Sequence, residues 1–462
     1  MASGPHHLET DMDITRRRFL ISSGALTLLG GLAACGKSAS SDSSTIQFWN
    51  NLDNQELVTY FEKHFVDAYP GPGKVKFSNK STDTIDRLIQ TALAAGSGPD
   101  VIVTPGPSTG TTEYTKAGYL VDLDSYATKY NWGQTFASWA LDASRIDGKL
   151  RTLPTQYETM AFYFNPATVE KLGVAVPRTQ SEFEAYCSES KGKGLIPVAA
   201  GNADWKGANE WHMVIALNHG AGPAAVYEAL QGKLKWTDPV FVDAVTRYAG
   251  YFKQGWFGGG VNDYFTNKFS TQYEQLASGK AAGLISGSWE FAYLPSYFGA
   301  KAGNNAKWDW TSIPSLGHNV PTNVWDLAIG QSAGINAKSG NVNNAAAYLN
   351  FLTTSKTSIL QALVEKNAAP PPIKIAPADF GDNADPRTVR LYTALSTAKT
   401  IGYTTWTFFP QQTETYLIDY FEKVITGKLS PADYCAGIQE KFAGELRAGK
   451  VPPAPQPGVP LS

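Results

Sequence analysis

Between residues 45 and 103 the hydrophobic period of the chain switches back and forth between that of a strand and that of a helix. No other feature constrains the fold as much. Ile46-Gln47-Phe48-Trp49 reads as a strand. Asp53 stands as a helix N-cap with Glu56 three residues on, the spacing of a capping box. Leu57, Phe61, Phe65 and Ala68 then recur at helical intervals up to Tyr69-Pro70. Residues 74–77 form a second strand. Ile85, Leu88, Ile89, Ala92 and Leu93 share one face of a second helix that stops at Gly96-Ser97-Gly98, and Asp100-Val101-Ile102-Val103 is a third strand. Strand–helix–strand–helix–strand requires parallel pairing through right-handed crossovers, so the fold class is α/β. Such sheets bind ligands beyond the carboxyl ends of their strands. Here those ends are Trp49-Asn50-Asn51 and residues 104–109.

The pattern continues with strands over 160–165, 281–286 and 327–336 and with helices over 342–354 and 413–425; from Val451 the chain is Pro-rich. At 462 residues it suggests two or three folding units, at roughly 150 residues each. Hydrophobic residues are 43% and charged residues 17%, a globular balance. Lys and Arg number 39 against 41 Asp and Glu, so no single-sign field exists to attract nucleic acid. The 12 Trp exceed what a core needs and point to aromatic recognition surfaces. Three Cys exclude a disulfide scaffold and a multi-Cys zinc site. No GxSxG, HExxH, Walker loop or GxGxxG in a strand–helix setting occurs, so neither catalysis nor a cofactor or metal is indicated.

The N-terminus is an address. Arg16 and Arg17 precede Phe19-Leu20 and a short, weakly apolar stretch over 21–32, followed by Leu32-Ala33-Ala34-Cys35. A twin-arginine pair ahead of such a core is a bacterial export signal. The end resembles a lipobox, whose Cys35 thiol would carry a diacylglyceryl group, and two acyl chains hold a protein stably to a membrane. Residues 36–44 then form a flexible tether.

Six segments carry a resemblance to a known family. They are Gly98-Pro99-Asp100-Val101-Ile102; Ala117-Gly118-Tyr119-Leu120-Val121-Asp122-Leu123; Gly148-Lys149 to Pro154 with Phe162-Tyr163-Phe164-Asn165; Pro177-Arg178-Thr179 to Glu182-Phe183; Gly279-Lys280-Ala281-Ala282 to Gly287-Ser288-Trp289; and Ser332 to Asn336 with Ala345 to Leu352. In this order they resemble the extracellular solute-binding proteins (family 1) of ABC sugar importers, similar in plan to maltose-binding protein. The loop over 104–112 departs from the maltose-binding pattern, being Gly/Pro/Thr-rich, so no maltose specificity carries over.

The resemblance implies a two-lobe, periplasmic-binding-protein-like (type II) α/β fold, with a hinge crossed near 157–160, 312–316 and 367–373. Lobe one would comprise 45–157 and 316–367, lobe two 158–315 and 370–450, with a tail over 451–462. It further implies a monomeric, non-enzymatic lipoprotein on the outer face of the bacterial cell membrane, holding a carbohydrate between its lobes for an ABC permease. A binder of another solute, such as a peptide or polyamine, and a secreted glycosidase are the rival readings.

Sugars present apolar C–H faces and a rim of hydroxyls, which aromatic rings and carboxylates or amides respectively recognise. Trp289 matches the family's stacking Trp. Glu158 matches a ligand-contacting glutamate, or else bridges the lobes as an ion pair, and Tyr157 beside it reads the same way. Trp205, Trp325-Asp326 and Trp406 stand in loops or at strand starts near the expected cleft. Asn50, Asn51 and Asp53 close the first strand. Trp211 reads as core and Trp256 as a loop anchor. Cys187 and Cys435 form a disulfide or remain two buried thiols.

Overall fold

The computed structural model describes residues 44–52, 55–81, 84–107 and 110–458. Arg16, Arg17, Cys35 and Asp53 lie outside the described residues. Two sheets organise the rest. The first contains β1 (Thr45–Asn50), β2 (Lys74–Asn79) and β3 (Val101–Pro105), and β1 pairs in parallel with both of the others. A hairpin of β4 (Arg145–Ile146) and β5 (Lys149–Leu150) turns on Asp147-Gly148, both at positive φ, which suits a tight hairpin turn. It leads into β6 (Thr152–Glu158).

The second sheet contains β7 (Met160–Phe164), β8 (Ile196–Ala199), β9 (Ala281–Gly287) and β10 (Asp309–Thr311), in the order β10-β7-β9-β8. β9 is buried along its whole length, consistent with a central strand covered on both faces. The long β11 (Trp325–Ile335) and β12 (Ile401–Tyr403) complete the first sheet, whose order is β12-β11-β3-β1-β2 with β6 also on β11.

The segments that carry the family resemblance have mechanical roles. Asp100 Oδ2 accepts the Gln47 N–H at 2.7 Å, locking β3 to β1. Asn336 Nδ2 donates to the carbonyls of Ser97 and Pro99 at 3.2 and 3.1 Å, tying the end of β11 to the start of β3. Thr179 and Glu182 form a reciprocal capping box on helix Gln180–Gly192.

Two cores result. One gathers Ile46, Phe48, Ile89, Val101, Ile102, Leu153, Ala333 and Leu349 around the first sheet. The other gathers Phe162, Phe183, Leu217, Leu284, Trp310 and Phe421 around the second. Each of the larger aliphatic and phenyl side chains among them stabilises the fold by about 1.5–3 kcal/mol on leaving water. The chain passes from first sheet to second at Thr159, and returns between β10 and β11. Packing differs from the expected boundary at 316. Leu316, Trp325 and Leu327 to Ile329 belong to the second core, and only Ala333 and Ile335 of β11 reach the first. β11 therefore runs through both cores.

Cys187 and Cys435 are free and buried. The disulfide alternative is corrected: each thiol occupies an apolar face of its own helix, and burial pushes both thiols up, Cys435 to about 12.

Candidate ligand-binding cleft

β1 and β3 end at one edge of the first sheet. Asn50 is buried there, and its Oδ1 accepts the Asn51 N–H at 2.9 Å and Gln331 Nε2 at 3.1 Å. Gln331 Nε2 also lies 3.2 Å from Asn51 Oδ1. Gln331 sits where the β6–β11 register slips between Ile329 and Gln331, and such irregularities re-aim side chains. Thr155 holds it by donating to its carbonyl at 2.9 Å. The result is a cluster of three amide side chains.

Glu158 ends β6. It is 5% exposed and has no hydrogen-bonding or ionic partner among the described residues. A Cβ on Gly330 would stand 2.0 Å from its Oε2, so a glycine is what lets this carboxyl lie against β11. Burial pushes its pKa to about 8. The Gly330 carbonyl accepts the Gly106 N–H at 3.3 Å, and a Cβ on Gly106 would stand 2.5 Å from the Trp406 carbonyl. The end of β3, Glu158 and the Trp406 loop thus converge.

The next residue, Thr159, exchanges backbone and side-chain bonds with Ser288: Ser288 N–H to Thr159 O at 2.8 Å, Thr159 N–H to Ser288 Oγ at 3.2 Å. Glu158 and Trp289 therefore flank one hydrogen-bonded pair where the chain passes from the first sheet to the second. The Trp289 ring lies over Gly287, where a Cβ would stand 2.0 Å from the ring. Its Nε1–H donates to Glu290 Oε1 at 3.1 Å, an oxygen that also takes the Ser286 hydroxyl at 2.6 Å.

From Trp289 a row of indoles extends. Trp211 is 4.9 Å away and Trp406 meets Trp289 edge-on at 6.3 Å, centroid to centroid. Trp205 lies 5.7 Å from Trp211 and is 46% exposed, an open aromatic face on the surface. Phe269 stacks on Trp211 at 5.7 Å. Threonines hold the short Trp406 segment. Thr404 donates to the Leu327 carbonyl at 2.6 Å, Thr405 to Glu210 Oε2 at 2.7 Å, and Thr407 accepts the Ile329 N–H at 3.0 Å. Glu210 also hydrogen-bonds the Glu414 carboxyl, which two buried carboxyls can do only while one keeps its proton.

Several expected site residues stand elsewhere. Successive strand residues face opposite ways, so Tyr157 points away from Glu158. It packs on Trp139 at 5.6 Å and Tyr392 at 6.5 Å and lines a separate cavity of about 300 Å³ with Pro371 and Pro372. Trp325 is core, 5.9 Å from Trp310. Asp326 is fully buried with Oδ2 on His219 Nε2 at 2.9 Å, which makes it a structural partner and not a cleft group. Trp256 stacks on Tyr251 at 5.0 Å, an anchor as read. Conversely, Trp211, Gln331 and Glu290 join the arrangement without having been singled out for it. Trp211 carried a signal in its neighbour Trp205; the other two carried none. Among the described residues no group of three or more His, Cys, Asp or Glu is placed to hold a metal ion.

Residues 51–358 match the model of the bacterial extracellular solute-binding protein family. The chain belongs to that family. This solute-binding protein is 23% identical over 380 residues to the multiple sugar-binding protein of Streptococcus mutans, an alignment covering 78% of this chain and 84% of that one. In fold it is similar to a chitin oligosaccharide binding protein, with TM-score 0.73, 19% identity and coverage of 87% and 100%. It is also similar to a protein solved in work on xylan utilization by Caldanaerobius polysaccharolyticus, with TM-score 0.71, 21% identity and coverage of 86% and 100%.

The buried glutamates of this solute-binding protein make its stability depend on pH. Burial raises Glu158 to about 8 and Glu290 to about 7, and raises Glu210 as well, all from an ordinary 4.5. Between about 4.5 and 7–8 the unfolded chain has released these protons while the folded one keeps them. Stability is therefore full below that window and falls as pH rises through it. Thermal melts across it should show the midpoint dropping, with a flatter profile in Glu290→Gln. A midpoint that rises over this range would show these carboxyls to be ionised in the folded protein.

Proposed function

We propose that this protein is a lipid-anchored receptor, held through Cys35 on the outer face of the bacterial membrane, that binds a carbohydrate between two lobes and presents it to an ABC permease. The observation that carries this reading is the indole row Trp205-Trp211-Trp289-Trp406 beside Glu158 and the Asn50-Asn51-Gln331 amides. Indole faces suit the C–H faces of sugar rings, and amides and a carboxyl suit hydroxyls. Several rings in a row suit successive units, hence an oligosaccharide. Family membership and the sugar-binding Streptococcus mutans relative support the same reading. The lobes would be 45–157 with the far half of β11 through residue 367, and 158–329 with 370–450. Ligand contacts complete only on closure would drive the lobes together, and the mechanism is capture without chemistry.

The test is a thermal-shift panel of malto-, cello-, xylo- and chito-oligosaccharides on the chain lacking residues 1–35. A true ligand at about 100 times its Kd stabilises by about 2.7 kcal/mol. A panel without any response would overturn the carbohydrate reading.

A further inference from the structure

The inference that follows rests on the carbohydrate reading and concerns which carbohydrate. The buried carboxyls of Glu158, Glu210 and Glu290 lie under or beside the indole row, and among the described residues none of them forms an ion pair with a basic side chain. Glu290 takes the Ser286 hydroxyl and the Trp289 N–H on Oε1, while its Oε2 is buried without a hydrogen-bond partner among the described residues. Glu210 is satisfied by Thr405 and Glu414. Glu158, 5% exposed, has no partner among the described residues. The basic residues near these segments are engaged elsewhere: Lys206 bonds Asp419 at 2.8 Å and Lys80 lies over the Trp49 ring at 4.9 Å. The titratable groups that act on Glu158 from the elements packed around it are Tyr163 on β7 and Tyr392 on helix Pro386–Ser396, both neutral. β11 contributes only Gly330 at this point, since its Asp326 is tied to His219.

A buried carboxyl is ordinarily paired or hydrogen-bonded, because an isolated one is costly to desolvate. The missing partner of Glu158 is then supplied by the ligand. We propose that the cleft sorts glycans by charge, preferring a sugar unit that brings a protonated amine to Glu158, taking neutral units less tightly and uronic acids least tightly. An amine draws Glu158 into its ionised form and completes an ion pair in a site of low dielectric, whereas a uronate must give up its hydration beside a buried carboxyl with no cation to receive its charge.

Titration calorimetry on matched sets tests this: chito-oligosaccharides against their deacetylated amine forms, and cello- and malto-oligosaccharides against the corresponding oligouronates. The expected ranking is an amine form about tenfold tighter than its neutral parent and a uronate about tenfold weaker, since its carboxylate is desolvated with no cation to pair it. Glu158→Gln, nearly isosteric, should shrink the amine advantage to less than about twofold, about 0.4 kcal/mol. Uronates binding as well as neutral glycans, or an amine advantage that survives Glu158→Gln, would overturn the proposal. The wild-type ranking alone decides it should the variant fail to fold. If no member of any set binds, the carbohydrate reading itself has failed, which is a different result from neutral glycans binding without discrimination.

Discussion

Trp289→Ala is expected to weaken glycan binding by about thirtyfold or more, the loss of about 2 kcal/mol or more that marks a central aromatic anchor. The expectation follows from where the ring sits. It is an inner member of the row, touching Trp211 on one side and Trp406 on the other, and it is the member joined through Ser288 and Thr159 to the end of β6 beside Glu158. Its plane is fixed by the Gly287 backbone beneath and by the bond to Glu290. Alanine removes both the ring and the support it gives its neighbours. Trp289→Phe separates the two contributions: it keeps an apolar face while losing the N–H, so it should retain part of the affinity. Calorimetry with the glycan that responds in the thermal-shift panel gives the loss, and a thermal melt without ligand shows whether the variant folds. The ring is only half-buried, so folding should survive. Unchanged affinity in a folded Trp289→Ala would remove this residue, and with it the row, from the site.

The place of Trp289 at the end of β9 was legible, because a strand runs into a Gly-Ser turn and then the indole. The first lobe was legible for a similar reason: the switch of period between residues 45 and 103 admits one class of sheet. What could not be read was the direction in which individual side chains point. Tyr157 and Glu158 are adjacent, and strand geometry guarantees that only one of them faces a given side, but nothing local says which. Gln331 was hidden because its position depends on a slip in the pairing of two strands far apart in sequence. Trp211 was hidden because the apolar spacing of its helix suits a core position. The one open aromatic face beside it, that of Trp205, is what distinguishes it.

Asp326 shows the same limit most sharply, and its substitution separates a binding role from a structural one. A carboxylate beside a Trp near the expected hinge resembles a sugar contact, yet both it and His219 are completely buried and each is the other's partner at 2.9 Å, across 107 residues of sequence. Asn218, next to His219, donates to and accepts from the Tyr403 backbone, which ties the same helix to β12. Gly402 of β12 leaves the room that Asp326 occupies, since a Cβ there would stand 2.2 Å from Oδ1. Asp326→Ala therefore leaves a buried imidazole without its partner and a hole between β11 and β12. Leaving a buried hydrogen-bonding group without its partner costs about 1–3 kcal/mol, and the hole adds to it, so chemical denaturation should show a loss of at least that size. Glycan affinity of the fraction that remains folded should change little, because no atom of Asp326 is accessible. The opposite outcome, an unchanged denaturation midpoint with lost affinity, would return Asp326 to the cleft and require that the β11–β12 edge open to admit the ligand.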